Sequence, residues 1–144
     1  MTYDTVVASM FEYLPRLKPI YAAEFDYMNG EMPGPSLAFG GLLIPALKTA
    51  LAAHNLGGIL PICAFLEEAS EAARHDARLA SLIQTEVGAW LGWVEDEELL
   101  TPWLGVETKR ICGYVPGLAT QRLEQEEQAS KESFSRRILR FLRR

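Results

Sequence analysis

The sequence predicts an all-α protein, a compact bundle of about six to eight helices with little or no strand. Two observations carry that expectation. Apolar residues recur at three- and four-residue spacing through most of the 144 residues, and Pro, Gly, Asn and Asp clusters separate these runs. No segment alternates cleanly with period two, and β-branched residues are scattered.

The first helix is expected over Tyr3 to Leu14, with Val6, Met10, Tyr13 and Leu14 at helical spacing, Thr2 as its cap and Pro15 as its stop. Pro19 suits the first turn of a second helix running to Tyr27 or Met28, whose shared face would be Ile20, Ala23 and Tyr27. Asn29-Gly30 closes it, and Met32 to Ser36 is a loop. Ser36 then caps a third helix, Leu37 to His54, which Pro45 should kink or divide.

The fourth helix spans Ile59 to Arg74, with Ile62, Phe65, Leu66 and Ala69 inward and Glu67, Glu68, Glu71 and Arg74 facing water. Asp76 caps a fifth, Ala77 to about Leu91, with Leu79, Ala80, Ile83, Val87 and Trp90 or Leu91 on its core face. Short helices follow at Glu97 to Trp103, interrupted by Pro102, and at Gly105 to Cys112. Gly113, Pro116 and Gly117 bound a turn, and the remainder is helical in composition, with a possible break at Ser130 to Ser135. Residues 1–130 are expected to form one helical domain, and 131–144 a basic amphipathic helix docked on it.

Composition is ordinary for a globular chain, with 49% hydrophobic and 23% charged residues, so a core can form without a disulfide or metal staple. Cys63 and Cys112 have no metal-site or redox spacing and read as free thiols. The N-terminal residues lack the basic and apolar regions of a secretory signal, and the apolar run Leu37 to Ala53 contains Lys48, Pro45 and two glycines, so it reads as a buried helix. A cytoplasmic location is the resulting expectation.

The net charge of −5 divides unevenly: residues 131–144 carry +5, whereas residues 1–130 hold 8 basic and 18 acidic side chains, net −10. An acidic body repels phosphate, so nucleic acid is not expected as its partner, and a basic protein is.

No catalytic or metal-binding pattern is present, and no cofactor is expected. His54 and His75 lie at helix ends without partner ligands. Glu71 has arginine, not histidine, three residues on, where a di-metal bundle would need the Glu-x-x-His motif. A small enzyme built from His54, His75 and Glu71 would need those residues to converge in three dimensions. Nucleophile-elbow and phosphate-loop motifs are absent.

The densest polar feature is Glu95-Asp96-Glu97-Glu98, flanked by Trp90, Trp93 and Trp103, the chain's three tryptophans. Tryptophan is enriched at binding hot spots and acidic rims steer basic partners, which makes Trp93, Glu95, Asp96, Glu97, Glu98 and Trp103 the candidate partner-binding residues. The competing reading packs Trp90 and Trp93 in the core and sets the carboxylates at a helix N-terminus. In the C-terminal segment, Phe134, Ile138, Phe141 and Leu142 form an apolar stripe among arginines; it could pack on the acidic body, or attach the chain to an anionic membrane or nucleic acid as an adaptor.

Phe65-Leu66-Glu67-Glu68, Trp90-Leu91-Gly92-Trp93 with the acidic run after it, and Leu104-Gly105-Val106-Glu107-Thr108-Lys109 together resemble a family of small helical bacterial proteins. That family has a Leu-Gly-Pro-Glu-Thr turn opening a helix; here Val106 stands in place of the proline. The resemblance covers about a third of the chain. Its members lack assigned catalysis and are similar to the immunity proteins encoded beside polymorphic toxins. The resemblance therefore implies a non-enzymatic protein that binds and neutralises a cognate toxin, with no binding residues defined by the family itself.

Overall fold

The computed structural model describes residues 1–143, and these form eight helices with no strand among the described residues. Helices α1 (Val6–Tyr13) and α2 (Leu17–Glu24) are followed by a 3-10 turn at Asp26–Met28. Helix α3 is Pro35–Ala52, α4 is Leu56–Ala72 and α5 is 77–91. Two short helices, α6 (Glu97–Leu100) and α7 (Val106–Ile111), precede the long α8 (Leu118–Leu142).

Helix α4 is the hub. It packs against α1, α3, α5 and α7, and eight of its 17 residues are buried. Phe65, Leu66 and Ile59 on α4 meet Phe39 and Leu43 of α3 and Leu79 and Ile83 of α5 in one continuous core. By length and composition α3 could cross a membrane, with a mean hydropathy of 1.3. Its apolar side chains belong to this core instead: Phe39, Leu43 and Leu47 are fully buried while Lys48 and Thr49 face outward.

Prolines shape two of the helices, and a third departs from expectation. Pro45 marks a boundary within α3, as expected: it lies in the first turn of the α-helical segment Ile44–Ala52, directly after a π-helical turn at Phe39–Leu43. That turn packs against a second π-turn in α5, Gln84–Gly88. Pro61 lies inside α4, and Arg16 donates to the Gly57 carbonyl (2.9 Å), the acceptor that a proline four residues on leaves free. In α2 the expected inward face of Ile20, Ala23 and Tyr27 is exposed. Leu17 is buried instead, and Tyr21 and Phe25 pack against the core and stack on each other at 5.6 Å.

Two caps differ as well: Thr5, not Thr2, precedes α1, and Gly34 with Pro35 at the first position opens α3 in place of Ser36. Asp76 caps α5 as expected, accepting from the N–H groups of Arg78 and Leu79 (3.1 Å each) while its other oxygen takes the Tyr3 N–H (2.7 Å). Those bonds hold the Asp76 carboxyl below its usual range.

The expected docking of segment 131–144 is corrected over 131–143; Arg144 lies outside the described residues. Helix α8 starts at Leu118 and runs unbroken through Ser130 to Ser135, and every residue from 124 to 143 is exposed. No glycine or proline lies between 118 and 142, so nothing lets the helix turn back onto the body. Glu127 and Lys131 pair across one turn at 2.7 Å and reinforce it.

Candidate functional site

The segment 92–104 joins α5 to α7 and carries all six candidate partner-binding residues. Val94 and Leu100 are buried and pin it to the core. On either side of these anchors in the sequence the two tryptophans point outward: Trp93 is 45% exposed and Trp103 41%. Neither belongs to the core, although Trp90 packs partly against it. The Arg122 guanidinium from α8 sits over the Trp93 ring, 5.5 Å from its centre, and donates to the Gly92 carbonyl at 3.3 Å. Glu95 and Glu98 are exposed and Asp96 is half-buried.

Glu97 does not belong to that surface. Only 4% of it is exposed, and its carboxylate is the cap of α8. One oxygen accepts from the Tyr114 hydroxyl (2.8 Å) and the Gly117 N–H (2.7 Å); the other accepts from the N–H and the hydroxyl of Thr120 (3.1 and 2.8 Å). Gly117 enters the helix at φ +83°, a left-handed conformation that other residues resist. Burial pushes the Glu97 carboxyl up, but these four bonds outweigh it and hold the group below its ordinary range. A carboxylate so engaged cannot meet an external partner, so it leaves the candidate set and takes a structural role.

A second carboxylate acts in the same way on α7. Glu67, expected on a solvent face, reaches from α4 and accepts from the N–H of Glu107 (2.8 Å) and from the N–H and hydroxyl of Thr108 (2.9 Å each). Gly105 is needed because a Cβ there would overlap the Glu67 carboxylate. Arg74 is exposed as expected, and from there it grips the Glu107 carboxylate with two nitrogens, while Arg110 adds a third contact at 3.0 Å. The hydrogen bond from Arg74 is the chief reason that the Glu107 carboxyl falls to about 2. The motif segments around Glu67 and Leu104 to Lys109 are thus in direct contact. Only the Gly-x-Glu-Thr spacing could have pointed to this from sequence, as a helix start lacking its own capping side chain.

Beside Glu98 runs an open groove of about 500 Å³, bounded by Thr101 and Pro102 on one side and Thr120, Gln121 and Glu124 on the other. Its charged rim is acidic. Across the molecule, an apolar cleft of about 320 Å³ lies between α2 and α3, lined by Leu17, Ile20, Leu42 and Ala46, with Arg16 and Glu24 among its polar residues.

His54 ends α3 at φ +50° and is exposed; His75 is exposed in the turn Ala73–His75; Glu71 is exposed on α4. None of these lines the groove or the cleft. Among the described residues no three His, Cys, Asp or Glu side chains are grouped to hold a metal. Burial pushes both thiols, Cys63 and Cys112, up to about 11, which leaves them protonated and weakly nucleophilic at neutral pH. Chemically, the surface offers electrostatic and aromatic contact.

No family model, characterised protein or solved structure matches this chain.

Proposed function

We propose that this chain is a non-enzymatic, immunity-type protein that binds and neutralises a cognate protein toxin in the cytoplasm. The observation that carries the reading is a pair of tryptophans, each more than two-fifths exposed, on an acidic segment whose backbone is pinned at Val94 and Leu100. Large apolar rings held on a rigid frame supply contact area at little entropic cost. Glu95, Asp96 and Glu98 around them, on a body of net −10, favour a partner with a basic face.

Toxin domains that cleave nucleic acid present such a face at their active-site clefts, because they must hold phosphate. Seating Trp93 or Trp103 at the mouth of that cleft, with carboxylates against its lysines and arginines, would exclude substrate. The caps from Glu67 and Glu97 support this by fixing α7 and α8 on either side before the partner arrives. The similarity of the Phe65–Glu68 and Leu104–Lys109 motifs to immunity-like families points the same way.

The test is co-expression with the protein encoded by the adjacent reading frame. Co-elution at a fixed ratio, together with restored growth of cells producing that protein, would support the reading. A neighbour with neither toxicity nor co-elution would remove it.

A further inference from the structure

The far half of α8 presents an apolar face that no other part of the described structure covers. Phe134 is 63% exposed, Phe141 80% and Leu142 74%, and Ile138 lies between them. On a helix of 3.6 residues per turn these four side chains fall within an arc of roughly 100°. Arg136, Arg140 and Arg143 occupy the opposite side and Arg137 borders the stripe.

We propose that this face is a docking surface for an anionic lipid bilayer, with α8 lying in the interface plane. The stripe would enter the acyl boundary while Arg137 at its border meets lipid phosphates and carboxylates and the arginines of the polar face, within about a Debye length of the surface, add attraction, a division of labour typical of interfacial helices. Charge complementarity selects this occupant. A second copy of the helix would set one +5 segment against another. A nucleic acid would satisfy the arginines but leave two phenylalanines in water.

The rest of the fold suits this use. The cap from Glu97, the burial of Ala119 and the contact between Arg122 and Trp93 fix the near end of α8 to the body. From Gly117 to Phe134 the helix advances about 25 Å, roughly three Debye lengths at physiological salt. The acidic body is therefore too far along the axis to cancel the attraction between the basic end and an anionic surface. The stretch Glu124 to Gln128 is acidic and polar, so the membrane-seeking portion starts only beyond it.

The test is flotation of the full chain with phosphatidylcholine vesicles containing about one third phosphatidylserine, against pure phosphatidylcholine. The chain should float with the anionic vesicles, and binding should fall with added salt. Phe134→Ser/Phe141→Ser should weaken partitioning at least about tenfold with helicity unchanged by circular dichroism. Arg136→Glu/Arg140→Glu should do the same. Equal partitioning to both vesicle types, or full binding by the serine variant, would overturn the proposal. So would a dimer in sedimentation equilibrium that the serine variant abolishes without vesicle binding by the parent chain, since the face would then belong to a second copy. Duplex DNA binding unaffected by the serine variant, again without vesicle binding, would assign the arginines to nucleic acid and overturn it equally.

Discussion

Helices α4 and α8 both carry apolar side chains at helical spacing, yet α4 buries eight of 17 residues and α8 buries one of 25, Ala119. The quality of the stripe does not explain this. Phe134, Ile138 and Phe141 are as apolar as Ile62, Phe65 and Leu66. What differs is where each helix is held. Four other helices pack along α4, whereas α8 is fastened only over its first turns, by Glu97, Ala119 and Arg122. With nothing to bend it, α8 carries its stripe clear of the core. An amphipathic pattern thus says that a face will be covered, while the attachment point decides whether this chain or another surface covers it.

The fastening of α8 depends most on Glu97. Replacing Glu97 with Ala leaves the Gly117 and Thr120 N–H groups at the start of α8 without their acceptor, and the Tyr114 hydroxyl with Thr101 alone, which should cost roughly 3 kcal/mol. Denaturant unfolding would register the loss, and hydrogen exchange should localise it to residues 114–122. If stability and exchange are unchanged, α8 is held by something other than its cap.

Glu67 gives the matching experiment on the α4 side. Glu67→Ala should cost about 2–3 kcal/mol by removing the α7 cap, and Glu67→Gln about 1 kcal/mol because one acceptor oxygen remains. Equal losses would mean that packing, not capping, sets the position of α7.

Acid should separate the body from the tail. The Glu107 carboxyl lies at about 2 in the folded chain against an ordinary 4.5. The folded state therefore holds this proton less tightly than the unfolded chain, and the contribution is complete above about 4.5 and fades as pH falls towards 2. The stability difference between the parent and Glu107→Gln should shrink over that window. A pH-independent difference would show that the Arg74 and Arg110 pairings do not respond to the charge of Glu107.

The smallest effect is expected at the far end. Removing residues 131–144 should move the melting temperature by no more than about 2 °C, since 131–143 are all exposed. A large drop would mean that the tail packs on the body in solution.

Where structure follows from local chemistry, the sequence was readable. Asp76 as a cap, Pro15 and Pro102 as stops, and the inward face of Leu79, Ile83, Val87 and Leu91 all follow from adjacent residues. Helix α2 shows where periodicity runs out. Leu17, Tyr21 and Phe25 make one apolar stripe and Ile20, Ala23 and Tyr27 another, and spacing alone cannot choose between them. Pro61 is carried inside α4 with an arginine 45 residues away bonded to the carbonyl it leaves free, a contact no local pattern shows.

In the candidate surface, Glu95, Asp96, Glu97 and Glu98 are indistinguishable as a run of charge. Glu97 turns inward because a helix start from twenty residues later lies beneath it. Long-range capping of this kind leaves no local signature.

Under the proposed function, binding of a basic partner falls to the remaining residues of that run. It is tested most directly by titrating the adjacent-gene protein's toxin domain into the parent chain and into Glu95→Lys/Glu98→Lys. Both positions are exposed, so the variant should keep its melting temperature. The expected result is an affinity reduced by roughly 10–100-fold, with the parent complex weakening as salt is raised. Equal affinity of parent and variant at low salt would contradict the claim and move the partner to another face.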